Sequence, residues 1–141
     1  MKKIIIILPF LAIPKKNSQR IIYNKAKGRT MIIQNERYLE FEKLCKPFMA
    51  QYSGLKINEP VNLKATIYVP DRRRRDLVNY LEGLQDVLVK HEVIADDNYN
   101  VIESVDGSRM IYEKGKQMTI LEIEGRDHEE NKSDARQSEV L

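Results

Sequence analysis

The sequence predicts an α+β fold, a small mixed β-sheet with two main helices packed on it, in the order βββαβαββ. Three observations predict it. Between Val61 and Val69, residues Leu63, Ala65, Ile67 and Val69 alternate with polar residues, the period of a strand with one buried face. Between Leu77 and Lys90, residues Leu77, Leu81, Leu84 and Leu88 recur at steps of three and four, the period of a helix with one buried face. Short apolar runs, IIIIL from Ile4 and TILEIE up to Glu124, supply strands near both ends.

The first run, residues 3–8, reads as a buried strand. Two lysines before it give the look of a secretory signal, but Pro9 interrupts the apolar stretch and no small-x-small cleavage site follows. Pro14-Lys15-Lys16 ends it, too soon to span a bilayer. A loop over residues 9–18 leads into RIIYNKAKGRTMIIQ, a hairpin in which Ile21 and Ile22 on one side and Met31, Ile32 and Ile33 on the other flank a polar turn, residues 24–28. Residues 36–52 form a helix, with Tyr38, Phe41, Leu44, Phe48 and Tyr52 as its stripe and Ser53-Gly54 as its stop. Cys45 lies beside that stripe, a place for packing rather than chemistry. Pro70 ends the central strand, so the four arginines after it stand in a loop. VIESV and QMTILEIE add two strands, with DGSR as a turn after the first. Residues 1–124 make one domain, and 125–141, polar and without periodicity, read as a disordered tail.

Composition bounds the chemistry. The 141 residues fit one domain, 42% apolar is enough for a core, and 32% charged suits a soluble surface. One cysteine excludes an internal disulfide. With His91 and His128 the only histidines, the composition argues against a Cys/His zinc site too, and a reducing, cytoplasmic setting fits best. The net charge of +3 hides an asymmetry: the first 35 residues carry eight basic residues and no acid, while the tail from Gly125 nets −2. Positive charge clustered in this way points to a polyanionic partner; the alternative is a soluble surface rich in lysine.

The stretch PDRRRRDLVNYLEGLQDVLVKHEVIADDNYNV, Pro70 to Val101, carries the candidate chemistry. Asp76 stands just before the second helix, where a carboxylate can simply cap free backbone N–H groups. Asn79, Glu82 and Asp86 fall together opposite the leucines, and Glu82 with Asp86 is a like-charged i, i+4 pair, by itself an ordinary solvated face. Asp96-Asp97, by itself an ordinary turn, precedes the next strand. Together these acids punctuate a strand end, a helix and a strand start, and a helix returning to the same sheet edge could gather them. Magnesium takes hard oxygen ligands and keeps several waters, so two or three carboxylates suffice. Bound magnesium can activate a water and stabilise charge developing on a phosphate. Arginines beside it would hold phosphates by forked hydrogen bonds. Acids repel phosphates, so their presence among arginines favours a nuclease over a simple binder.

These residues resemble the signature of the RusA family of Holliday junction resolvases: an arginine-rich run, D-x-D-N, a lysine three residues after the Asn, a D-A-L-like helix, and a D-D pair before a strand. Asp76, Asn79, Asp86, Asp96 and Asp97 match that pattern without a gap, and IPKKNSQR and GRT match more loosely. The resemblance covers about residues 3–124 and implies a RusA-like fold. It also implies a structure-specific endodeoxyribonuclease that uses Mg2+, with Mn2+ able to substitute. Such an enzyme acts as a homodimer on branched DNA, the four-way junction, with no membrane partner, in the cytoplasm of a bacterial host and often from a phage or prophage. Two-fold symmetry suits a reaction that needs two symmetric cuts.

Two positions depart from the signature. Val78 stands where the family has the second Asp, and Glu82 where it has the lysine. Glu82, one turn after Val78 and longer than Asp, is expected to take over metal ligation. The expected metal site is therefore Asp76, Glu82 and Asp97 with Asp96 in support, and Asn79 orients a carboxylate or water. Asp86 is either a further ligand or a polar-face residue, with the second reading favoured. Lys15, Lys16, Arg20 and Arg72, Arg73, Arg74 and Arg75 are expected to contact DNA phosphates. The rivals are an inactive junction-binding copy of the fold, which binds without cleaving, and an RNA-binding or ribosome-associated protein, whose activity would survive loss of Asp76 and Asp97.

Overall fold

The strand β4 (Val61–Val69) is the spine of the sheet, and its alternation explains why. Val61, Leu63, Ala65 and Ile67 are essentially inaccessible. In this computed structural model, which describes residues 1–15, 19–34 and 36–126, β4 is flanked on both sides. On one side lies β7 (Met118–Gly125), antiparallel, followed by β1 (Ile4–Leu8), also antiparallel. On the other side two short strands share the edge in parallel: β5 (Ile102–Ser104) at the start of β4, and β6 (Arg109–Tyr112) at its end. The sheet is mixed, and it carries one strand more than the pattern predicts. The turn expected at DGSR is there, but RMIY after it pairs with β4, Thr66 opposite Arg109 through Val69 opposite Tyr112. The hairpin expected here is present: β2 (Gln19–Asn24) and β3 (Arg29–Gln34) form a separate antiparallel two-stranded sheet, with Ile21 opposite Ile32 and Ile22 opposite Met31. Gly28, at φ 63°, supplies the left-handed residue of its turn.

Two helices cover one face of the large sheet. The first, α1 (Glu36–Met49), is shorter than expected, and its buried stripe is rotated. Tyr38, Phe41, Cys45 and Met49 face the core, whereas Leu44 is 50% exposed. At 100° per residue, Cys45 and Met49 lie within about 20° of Tyr38, and Leu44 about 120° away. Burial in this stripe pushes the Cys45 thiol up to about 12, so it is a packing residue, as expected. The second helix, α2 (Leu77–Lys90), has the predicted bounds and buries Tyr80, Leu81, Leu84, Val87 and Leu88. Among the described residues no helix is long and apolar enough to cross a membrane. Of the tail expected at 125–141, Gly125 closes β7 and the Arg126 N–H donates to the Pro60 carbonyl (2.8 Å). Residues 127–141 lie outside the described residues.

The link from β4 through α2 to β5 is a parallel crossover, and this decides where the acids go. A crossover helix runs back along the strands it connects. Asp76 therefore stands where β4 ends, and Asp96-Asp97 stand toward the end where β4 begins and β5 pairs with it.

Candidate active site

At the N-terminal end of α2 the chain does what its residue types allow. Asp76 is the N-cap: its backbone is extended and its carboxylate accepts from the Val78 N–H at 3.1 Å. The arginines before it divide by partner. Arg75 is largely buried and pairs with Asp71, Nη1 to Oδ1 at 2.8 Å, with a second bond to the Asp71 carbonyl at 3.3 Å. Asp71 also accepts from the Arg73 N–H at 2.9 Å. The Arg75 guanidinium, then that N–H, hold the Asp71 carboxyl below the usual carboxylate range. Arg72 lies over the Tyr112 ring, 4.4 Å from its centroid. Arg73 is far out in solvent, with its guanidinium 3.8 Å from Asp71. Arg74 makes no ion pair among the described residues and borders, with Arg75, Asp76, Leu77 and Tyr80, a hollow of ≈ 440 Å³. Asp71 was not anticipated from sequence. Its place four residues before Arg75 is a signal only once the loop is known to fold back on itself.

Along α2 the other expected residues follow the helical wheel. Val78 is 67% exposed, so the apolar residue at the position of the missing acid lies mostly in solvent. Asn79 is half-buried and Glu82 exposed one turn after Val78. Asp86 is bound to Lys15, Nζ to Oδ2 at 2.8 Å. That pair lies in a cleft of ≈ 330 Å³ which Tyr38, Glu42, Lys90 and Asp97 also line. Glu42, from α1, is a second acid that the sequence did not single out.

Asp96 and Asp97 form the turn after the helix, where the Asp97 N–H donates to the Asp96 carboxylate at 2.7 Å. Desolvation, then Asp96, then the nearby charge of Asp86 push the Asp97 carboxyl up, while hydrogen bonds from Asp97 hold Asp96 down. Lys16 lies outside the described residues, and the backbone of Arg20 pairs with Ile33 in the hairpin.

The donor set suits a hard divalent cation, since every candidate ligand is a carboxylate oxygen. Its placement fits only in part. Asp86 and Asp97 share a cleft with Glu42, but among the described residues no three His, Cys, Asp or Glu side chains gather closely enough to hold a metal ion. Asp76 and Asp86 are ten residues apart along one helix axis, about 15 Å of rise.

A cationic loop that runs into a helix bearing carboxylates, on an α+β sheet with a parallel crossover, suits a protein that handles nucleic-acid phosphates. The comparisons narrow that class. Residues 12–124 match the family Endodeoxyribonuclease RusA. A relative from Aquifex aeolicus (strain VF5), Crossover junction endodeoxyribonuclease RusA, is 32% identical over 124 residues, 87% of this chain and 92% of the relative. The chain belongs to the RusA family of endodeoxyribonucleases, enzymes that hydrolyse DNA, and membership carries the expectation of a divalent cation.

Proposed function

We propose that this protein is a Mg2+-dependent endodeoxyribonuclease that resolves four-way DNA junctions as a two-fold homodimer, in the cytoplasm of a bacterial host. The observation that carries the reading is the continuity of the Arg72–Arg75 loop with Asp76 and, along the same helix, Glu82 and Asp86. A phosphate gripped at the loop is delivered to the end of a row of carboxylates. Arg73 and Arg74, with their guanidinium groups toward solvent, grip the backbone, and Arg75 and Arg72 fix the loop that presents them. Asp76, Glu82 and Asp97 would hold the cation, with Asp96 in support. When bound it supplies an activated water and neutralises charge building on the phosphate. Asn79, between Asp76 and Glu82 on the helix, orients a carboxylate or the water.

The separation of Asp76 from Asp97 within one chain is met by the dimer. A two-fold pair can bring the N-terminal end of one α2 to the Asp96-Asp97 turn of the other copy, so that each site draws on both chains. Glu82 is tested directly by cleavage of a synthetic four-way junction in magnesium. Glu82→Gln is expected to lose activity by on the order of a hundredfold, the cost of removing one preorganised charge from such a site. Undiminished cleavage would take Glu82 out of the mechanism.

A further inference from the structure

The loop of residues 9–15 is held along its length. Thr119, fully buried on β7, accepts from the Ala12 N–H (3.2 Å) and donates to the Phe10 carbonyl (3.1 Å). The Phe10 ring meets Phe41 and Phe48 edge-on, at 5.9 and 5.7 Å. Where the loop crosses α2, Gly83 makes the approach possible. A Cβ there would stand 3.0 Å from the Ile13 oxygen and 3.2 Å from the Lys15 nitrogen, both backbone atoms. The Tyr38 hydroxyl donates to the Gly83 carbonyl at 3.1 Å and ties α1 to the same point. These contacts deliver Lys15 to Asp86. Asp86 first, with Glu42 and Glu82 behind it, keeps the ammonium firmly protonated.

We infer that Lys15 is a positioning residue of the nuclease site: held by the loop of residues 9–15 at Gly83, its ammonium cancels the charge of Asp86 in the cleft that Asp97 and Glu42 share, so that a DNA phosphate can approach the acidic side of α2. The inference rests on the nuclease reading above. Without Lys15 the cleft would present Glu42, Asp86 and Asp97 against Lys90 alone, and like charge across an interface opposes association. Lys15 differs in this from Arg74. It acts through Asp86, one hydrogen bond away, rather than by gripping the backbone itself.

The test is binding of a synthetic four-way junction in EDTA across a salt series, beside single-turnover cleavage in magnesium. Lys15→Met is expected to weaken binding about tenfold, since it bares a half-exposed carboxylate. Adding Asp86→Asn to it is expected to restore binding, with the wild-type dependence of log affinity on log salt. A double variant that stays weak, its salt slope reduced by about 0.9, would mean that Lys15 grips a phosphate, and overturns the inference. Wild-type binding by Lys15→Met overturns it as well, leaving Lys15 a loop anchor. Asp86→Asn alone covers a Lys15→Met that does not fold: it is expected to bind more tightly, and unchanged or weaker binding overturns the inference. Absence of cleavage by the wild type would sink the nuclease reading, while the EDTA arm decides the role of Lys15 separately.

Discussion

The two ends of α2 manage charge in opposite ways. At the N-terminal end cations outnumber acids, yet Arg75 is taken up by Asp71 and Arg72 lies over Tyr112. Toward the C-terminal end acids outnumber cations, and Lys15 is taken up by Asp86. At each end part of the majority charge is spent inside the protein; in the proposed reading the rest meets the DNA and the cation, Arg74 with the more loosely paired Arg73 at one end and Asp97 with Asp96 at the other. Counting charges along the chain overstates what a DNA backbone meets, because it cannot separate a guanidinium with a partner from one without.

The largest effect should come from forcing the two ends to cooperate. Asp76→Asn and Asp97→Asn should each reduce junction cleavage by on the order of a hundred- to a thousandfold. Mixed as subunits of one dimer, the two variants should regain nicking of one strand, because a site built from both chains then pairs an intact Asp76 with an intact Asp97. The mixed dimer keeps one such site and loses the other, so nicks should appear without paired resolution. A mixture as inactive as its parents would place all ligands of a site in one chain.

How far this comparison was legible in the sequence depends on the range of the contacts involved. β4 and α2 were legible to the residue, because alternation and leucine spacing are local properties and Pro70 and Asp76 mark the join. The family was legible too, from the pattern that Asp76, Asn79, Asp86, Asp96 and Asp97 make. β6 was not, since four residues behind a turn carry too short a pattern, and it is the long β4 that makes RMIY a strand. The rotated stripe of α1 was missed because the larger Leu44 outweighed Cys45 as an apolar marker. The gathering of the acids at one sheet edge was misjudged for a topological reason: whether a strand returns parallel or antiparallel is settled by its pairing, not by its residues. The pairing of Lys15 with Asp86 depends on a loop crossing at Gly83, and a glycine inside a helix announces a close approach without naming the visitor.

A smaller effect separates two neighbours at the N-terminal end. Arg74→Ala should leave thermal stability unchanged and reduce the salt slope of junction binding by about 0.9, the signature of one lost phosphate contact. Arg75→Ala should instead lower Tm by about 4 °C, because it unties the loop from Asp71. Equal salt slopes for wild type and Arg74→Ala would mean that the grip lies elsewhere in the basic region.

The smallest effect is one of pH, and it sharpens the same division. Asp71 has its carboxyl held down by Arg75 and by the Arg73 N–H, so the folded chain binds its proton less readily than the unfolded chain does. Its stabilising contribution is therefore complete above the ordinary carboxylate value, about 3.9, and drains away as pH falls through the lower folded value. Tm of the wild type should fall more steeply than that of Arg75→Ala below about pH 4, the two curves converging as Asp71 takes up its proton. Parallel curves would show that Arg75 holds the loop by packing alone, and the loop's charges would then be as interchangeable as they look when written in a row.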